Sequence, residues 1–297
     1  MTILVGTASW TDKTLIACKR FYPRGCSTAE ARLRHYSTQF PMVEVDSSYY
    51  AMPAPSVAQG WVDRTPPGFV FNIKAFRLFT GHQTSPVVLH EDIRRALPPS
   101  DRKMLYYRDF PAELRDELWR RFIEALAPLR DSGKLAAVHF QFAPWVLGNA
   151  AGHAQLRECV ERMAGHHLSV EFRNISWFND KHRYGTLAFE RELGVTHTIV
   201  DGPQGFTNSV PSVWEATNPN LAILRLHGRN HETWDIKGST AASDRFNYDY
   251  SDAELAALVP FIKRISALVA RLQVIFNNNM EDQGQRNARS LMSLLEI

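Results

Sequence analysis

The heptapeptide LSVEFRN, residues Leu168 to Asn174, has the Val and Phe content of a β-strand, yet it alternates Glu171 and Arg173 with Val170 and Phe172. Successive strand side chains point to opposite faces of a sheet. The two charged groups therefore share one face and the two apolar groups the other. Such a strand suits a sheet that packs on helices with its apolar face and turns its polar face toward a common interior.

Seven further runs have similar length and character: ILVGTAS from Ile3, MVEVDSS from Met42, FVFNIKA from Phe69, LAAVHFQF from Leu135, THTIVDG from Thr196, LAILRLHG from Leu221 and LQVIFNNN from Leu272. Most are separated by segments with helical periodicity. From Pro111 to Arg130, Leu114, Leu118, Phe122 and Leu126 recur every fourth residue. Ser251 and Glu254 have capping-box spacing ahead of a stripe of Leu255, Leu258, Val259, Ile262, Ile265 and Val269, and Ser27 with Glu30 repeats the device. Strands alternating with helices imply parallel pairing, and eight such units predict an α/β fold of the (β/α)8 TIM-like barrel type. The rival, an open doubly wound sheet, lacks its usual marks, because there is no GxGxxG turn after the first strand and no GxxxxGK[ST] loop. With no linker or repeat, residues 1–297 read as a single domain. One connection is long: Arg77 to Asp109, after the third strand, is expected to form a lid-like insertion outside the core.

Composition narrows the class. At 297 residues, 44% hydrophobic and 22% charged, the chain is an ordinary globular protein. With 34 Lys and Arg against 31 Asp and Glu it has no polycationic footprint, so nucleic acid is permitted as a partner and not implied. No apolar run approaches the ~20 residues of a membrane span, and the N-terminus lacks the pattern of a signal peptide. A cytoplasmic protein with no membrane contact and no obligate protein partner is expected. Cys18, Cys26 and Cys159 show neither CxxC nor metal-ligand spacing and read as free thiols.

If the apolar residues of each strand face the outer helices, the inward set is Glu44 and Asp46, Asn72 and Lys74, His139 and Gln141, Glu171 and Arg173, Arg225 and His227, and Asn277 with Asn279; Asp201 ends the sixth strand. In a barrel these side chains converge at the C-terminal mouth, where the active sites of such enzymes are built. Leaving that many polar groups buried and unmatched would cost about 1–3 kcal/mol each, so a ligand pocket is the better explanation than a purely structural network. Glu171 is expected as general acid or base, with Lys74 or His227 transferring a proton and Arg173 and Arg225 holding an anionic group. Arg225, His227, Arg229 and Asn277 to Asn279 form a candidate oxyanion site; the alternative is that Arg225 only pairs with Glu171 or Asp201. Trp10, Tyr49, Tyr50, Trp145 and Trp177 follow strands and offer stacking faces for a sugar ring or base. No cofactor is implied. A divalent metal on Asp46, His139, Glu171, Asp201 and His227 is the lesser alternative, since Lys74, Arg173 and Arg225 already neutralise the carboxylates it would need. His82, His90, His153 and His166 read as solvated.

The motifs VGTASW, VEVDSSYYAMPAPSVAQGWVDRTPPGFVFNIKA, GKLAAVHFQFAPW, VEFRNISWF, RLHGR, FNNN and RNARSLMSLL resemble, across almost the whole chain, the YecE-like family, domain of unknown function 72. The resemblance implies a TIM-like barrel and supports Glu44, Lys74, Gln141, Glu171, Arg173, Arg225, His227, Asn277 and Asn278 as pocket residues. It supplies no reaction. Asp46 stands where Asn is expected, His139 where an aliphatic residue is expected, and MEDQG after the asparagine run is also a departure. The family's barrel is similar to the xylose isomerase and endonuclease IV class, which hints at sugar or phosphoester chemistry without the histidine-rich metal cluster. The resulting expectation is an enzyme acting on a small polar, anionic ligand, phosphate- or sugar-containing, of hydrolase type; the alternative is a non-catalytic nucleic-acid- or glycan-binding protein.

Overall fold

A computed structural model describes residues 2–234 and 245–297. Eight parallel strands close into a barrel in sequence order: β1 Thr2–Ala8, β2 Met42–Val45, β3 Val70–Lys74, β4 Leu135–Gln141, β5 Leu168–Glu171, β6 Thr196–Asp201, β7 Leu221–Leu226 and β8 Arg271–Phe276. Closure comes from β1 pairing with β8 from Thr2↔Arg271 to Thr7↔Phe276. All eight runs read from the sequence are strands.

The facing follows the period-two rule. Val43, Val45, Phe71, Ile73, Val138, Phe140, Val170, Phe172, Leu224 and Phe276 belong to the large apolar cluster shared with the helices. A second cluster, with Met42, Val70, Ala137, Leu221 and Ile223, fills the interior from the N-terminal halves of the strands. One step further along each strand the interior turns polar, and Glu44, Asn72, His139, Glu171, Arg225 and Gln273 are each fully buried there. The register keeps these groups level: Glu44 pairs with Asn72, and Gln141 with Glu171.

Around the barrel, the helix Ala112–Asp131 buries Leu118, Phe122, Leu126 and Leu129, and the helix Asp252–Ser266 buries Leu255, Leu258, Ile262 and Ile265. Both bonds of the Ser251–Glu254 capping box form. At the helix Ala29–Ser37 the cap is Thr28 rather than Ser27; the Thr28 side chain accepts from the Ala31 amide, while Glu30 turns to Arg34 and Arg64.

The connection 77–109 is not a lid standing outside the core. Leu78, Phe79, Leu89, Ile93 and Leu105 join the main apolar cluster, and Phe79 stacks on Trp119 with ring centroids 3.7 Å apart. Thr84 and Leu105 close its base with an antiparallel bridge. Its longest unbroken exposed run is the tip Pro98 to Lys103. Cys18, Cys26 and Cys159 are unpaired. Among the described residues no helix is long and apolar enough to cross a membrane.

Candidate functional site

Glu171, the last residue of β5, lies at the centre of a buried polar network. Arg225 Nη1 donates to its Oε2 at 2.5 Å, and Gln141 Nε2 (2.7 Å), Arg173 Nη1 (2.9 Å) and His227 Nε2 (3.1 Å) all approach its Oε1. Arg225 spans two strands' worth of carboxylates, because its Nη2 also donates to Glu44 Oε1 at 2.6 Å. Burial alone would raise the Glu171 carboxyl, but the Arg225 charge, with the hydrogen bond donated by His227, more than compensates and holds it well below the ordinary carboxylate range.

His227 works with both ring nitrogens. Burial, together with Arg225 and Arg173, outweighs the attraction of Glu171 and pushes its pKa down to about 3, so the ring is neutral at physiological pH. The neutral tautomer that fits carries its proton on Nε2 toward Glu171 and accepts at Nδ1 from Asn277 Nδ2, 2.8 Å away. A carboxylate that already accepts from four side chains and an imidazole engaged at both nitrogens have no free site for substrate. Glu171, His227, Arg225 and Glu44 thus form the floor of the site and hold Gln141, Arg173 and Asn277 in place above it.

Above this floor is a cavity of about 190 Å³ at the C-terminal mouth. Asp46, Lys74, Gln141, Arg173, Arg245 and Asn277 supply its polar wall, with Tyr49, Tyr50, His82 and Phe246 beside them. Lys74 Nζ lies 3.4 Å from Asp46 Oδ1 and 4.9 Å from the Tyr49 ring centre. Arg173 lies over the Trp234 ring at 4.6 Å. Burial and the nearby Arg77, Lys74 and Arg173 push His82 down to about 3, leaving it neutral.

Of the residues expected from the sequence, Asp46, Lys74, Gln141, Arg173, Asn277 and Asn279 line the mouth, and Glu44, Glu171, Arg225 and His227 lie beneath it. The oxyanion cluster expected at the ends of β7 and β8 does not assemble. Arg225 is fully buried between two carboxylates, Arg229 binds Asp201 and Glu254, and Asn278 donates to Tyr248 O and Asn287 Oδ1. Asp201 is occupied by Arg229 and by the Tyr250 hydroxyl at 2.7 Å. Two aromatics expected at the rim are core residues: Trp10 packs edge-on to Trp61, and Trp177 stacks on Phe172 and donates to Val146 O. Among the described residues no three His, Cys, Asp or Glu side chains are gathered as metal ligands would be.

Three contributors escaped the sequence reading. His82 is a mouth residue rather than a solvated one, carried there by the packed base of the 77–109 connection. Arg245 and Phe246 come from the segment between β7 and the helix Asp252–Ser266. Its length was the available signal, since long βα connections in barrels build the mouth.

Fold and site together define a (β/α)8-barrel protein with a polar, cation-rich mouth set on a buried carboxylate–arginine floor. The chain belongs to the family described as protein of unknown function DUF72, whose model matches residues 4–297, the family its motifs resemble. It is 31% identical over 297 residues to the UPF0759 protein YunF of Bacillus subtilis, covering 99% of this chain and 95% of that one. Among solved structures it is similar to a DUF72 family protein of Enterococcus faecalis, with 27% identity, a TM-score of 0.80 and coverage of 100% and 96%. It is also similar to a DUF72 family protein of Thermotoga maritima, with 24% identity, a TM-score of 0.77 and full coverage of both chains.

Proposed function

We propose that this protein is an enzyme that takes a small anionic molecule, phosphate- or carboxylate-bearing, into the barrel mouth. One observation carries the reading. In the described cavity wall Lys74, Arg173 and Arg245 face a single carboxylate, Asp46, and adding the buried Glu44, Glu171 and Arg225 still leaves an excess of positive charge. A partly closed, low-dielectric cleft with unbalanced cations attracts anions. Arg173 and Arg245 would hold the anion, and Gln141 and Asn277 would direct their amides at it. Asp46 and Lys74 are the acid–base pair at the mouth and would move the proton, because Glu171 and His227 are already engaged. Unpaired thiols suit the reducing cytoplasm.

The test is thermal unfolding in phosphate against chloride at matched ionic strength. An anion held only by the folded state stabilises by about 2.7 kcal/mol at a hundredfold excess over Kd. Phosphate should raise Tm beyond chloride, and Lys74→Ala with Arg245→Ala should abolish the excess. Equal responses to the two salts in the wild type would refute the anion reading.

A further inference from the structure

The mouth cavity is small. At about 190 Å³ it falls below the ~300–1,000 Å³ of ordinary small-molecule sites, so it has room for an anionic group and little else. The rest of any substrate must leave across its rim. Pro144 lines the mouth and also lines a neighbouring cleft of about 490 Å³, whose other walls are Trp145, Asn174 and the stretch Gly205 to Asn208.

Trp145 is 54% exposed, although an indole normally gains by burial. Its position is fixed nonetheless. Its Nε1 donates to Gly81 O at 2.9 Å, and the His82 ring meets it edge-on with centroids 5.5 Å apart. Gly81 has φ +83°, and a Cβ there would lie 2.6 Å from Val146 Cγ2, so the carbonyl that anchors the indole sits at a position that requires glycine. A rigid, exposed aromatic face beside a cleft walled by amides and a hydroxyl, with no ionised side chain among its described lining residues, is chemistry for a neutral, polyhydroxylated ring.

Resting on the anionic-ligand reading above, we infer that the substrate is an anionic sugar derivative: its phosphate or carboxylate enters the mouth, and its sugar ring lies in the Pro144–Trp145 cleft against the Trp145 face. Trp145 is then a specificity-determining residue, and Gly81 and His82 position it.

The experiment measures dissociation constants of the intact chain by calorimetry for phosphate, acetate, a panel of hexose and pentose phosphates, glucuronate and adenosine monophosphate. At least one sugar phosphate or glucuronate should bind about tenfold more tightly than its bare anion, the equivalent of one well-made ring contact. In Trp145→Ala that ratio should fall to near one, and Trp145→Phe should restore part of it. Because the indole is exposed, Tm should stay close to wild type. The inference is overturned if bare phosphate binds as tightly as every sugar derivative, if the ratio survives Trp145→Ala, or if adenosine monophosphate exceeds all the sugars. Failure of every anion to bind would instead overturn the anionic-ligand reading, and this inference with it.

Discussion

Replacing Arg225 with methionine separates a structural guanidinium from a ligand-binding one. The side chain is fully buried, with Nη1 2.5 Å from Glu171 Oε2 and Nη2 2.6 Å from Glu44 Oε1. Methionine keeps much of the volume but removes the charge. Glu171 would retain Gln141, Arg173 and His227, whereas Glu44 would keep no partner, since its Oε2 has none already. Breaking a buried ion pair from one side costs about 3–5 kcal/mol. At ~2.1 cal/mol/K per residue, a chain of 297 residues loses about 1.6 °C of Tm per kcal/mol, so the expected fall is roughly 5–8 °C. Urea unfolding at pH 7, with m unchanged, gives the free energy directly. The difference should narrow on acidification. Glu171 is held low in the folded protein, so its stabilising contribution is present above the ordinary carboxylate pKa of ~4.3 and is lost as pH falls toward its depressed value. Glu44→Gln added to Arg225→Met should recover part of the loss. The Tm rise in phosphate should persist, because Arg225 does not line the mouth. A variant as stable as wild type that no longer responds to phosphate would refute this account and restore Arg225 to the ligand.

The other perturbations probe the floor, the base and the shell. His82 and His227 are both neutral in the folded protein, with pKa values near 3 against ~6.5 unfolded, so stability should fall as pH drops below 6.5; His82→Gln should flatten that slope in a Tm–pH series, and an unchanged slope would show that His82 titrates normally. Trp177→Ala, which removes a fully buried indole stacked 3.7 Å from Phe172, should cost about 3–5 kcal/mol in urea without selectively altering phosphate binding. Shortening the exposed tip Pro98–Lys103 should leave Tm within a few degrees, whereas removing 77–109 entirely strips Phe79, Ile93 and Leu105 from the core and should give insoluble protein; soluble, folded protein from the full deletion would show that those contacts are dispensable.

The barrel was legible because its two rules are local. Period-two alternation in runs such as LAAVHFQF and LSVEFRN told which side chains face inward, and the structure puts Val138, Phe140, Val170 and Phe172 outside and His139 and Glu171 inside as that rule requires. What alternation does not give is height along the barrel axis or the identity of partners. Glu171 and Lys74 both end strands and both face inward, yet one is fully buried beneath the other's cavity. The loops were harder. Trp10 and Trp177 follow strands just as Trp145 does, but only Trp145 stays exposed, because the turns after β1 and β5 fold the first two back onto Trp61 and Phe172.

The same difference in height explains why charge at the two levels has different uses. In the floor, each carboxylate and guanidinium has been removed from water, and such groups are stable only when matched; Arg225 lies between Glu44 and Glu171, Arg173 reaches down from the mouth to Glu171, and neutral His227 fills the remaining acceptor site on Glu171. A group so matched cannot change protonation or partner during a reaction without unbalancing the barrel core. At the mouth the constraint is relaxed. Lys74 and Asp46 keep side-chain exposures of 12% and 21%, and at 3.4 Å they form a loose, partly solvated pair that either side chain can leave for a ligand. The rigid floor serves the mouth by fixing Gln141, Arg173 and Asn277 above it, since donors fixed before binding need not reorganise when charge develops on a ligand. It follows that substitutions in the floor should appear first in stability, and substitutions at Lys74 and Asp46 in ligand affinity and turnover at unchanged Tm.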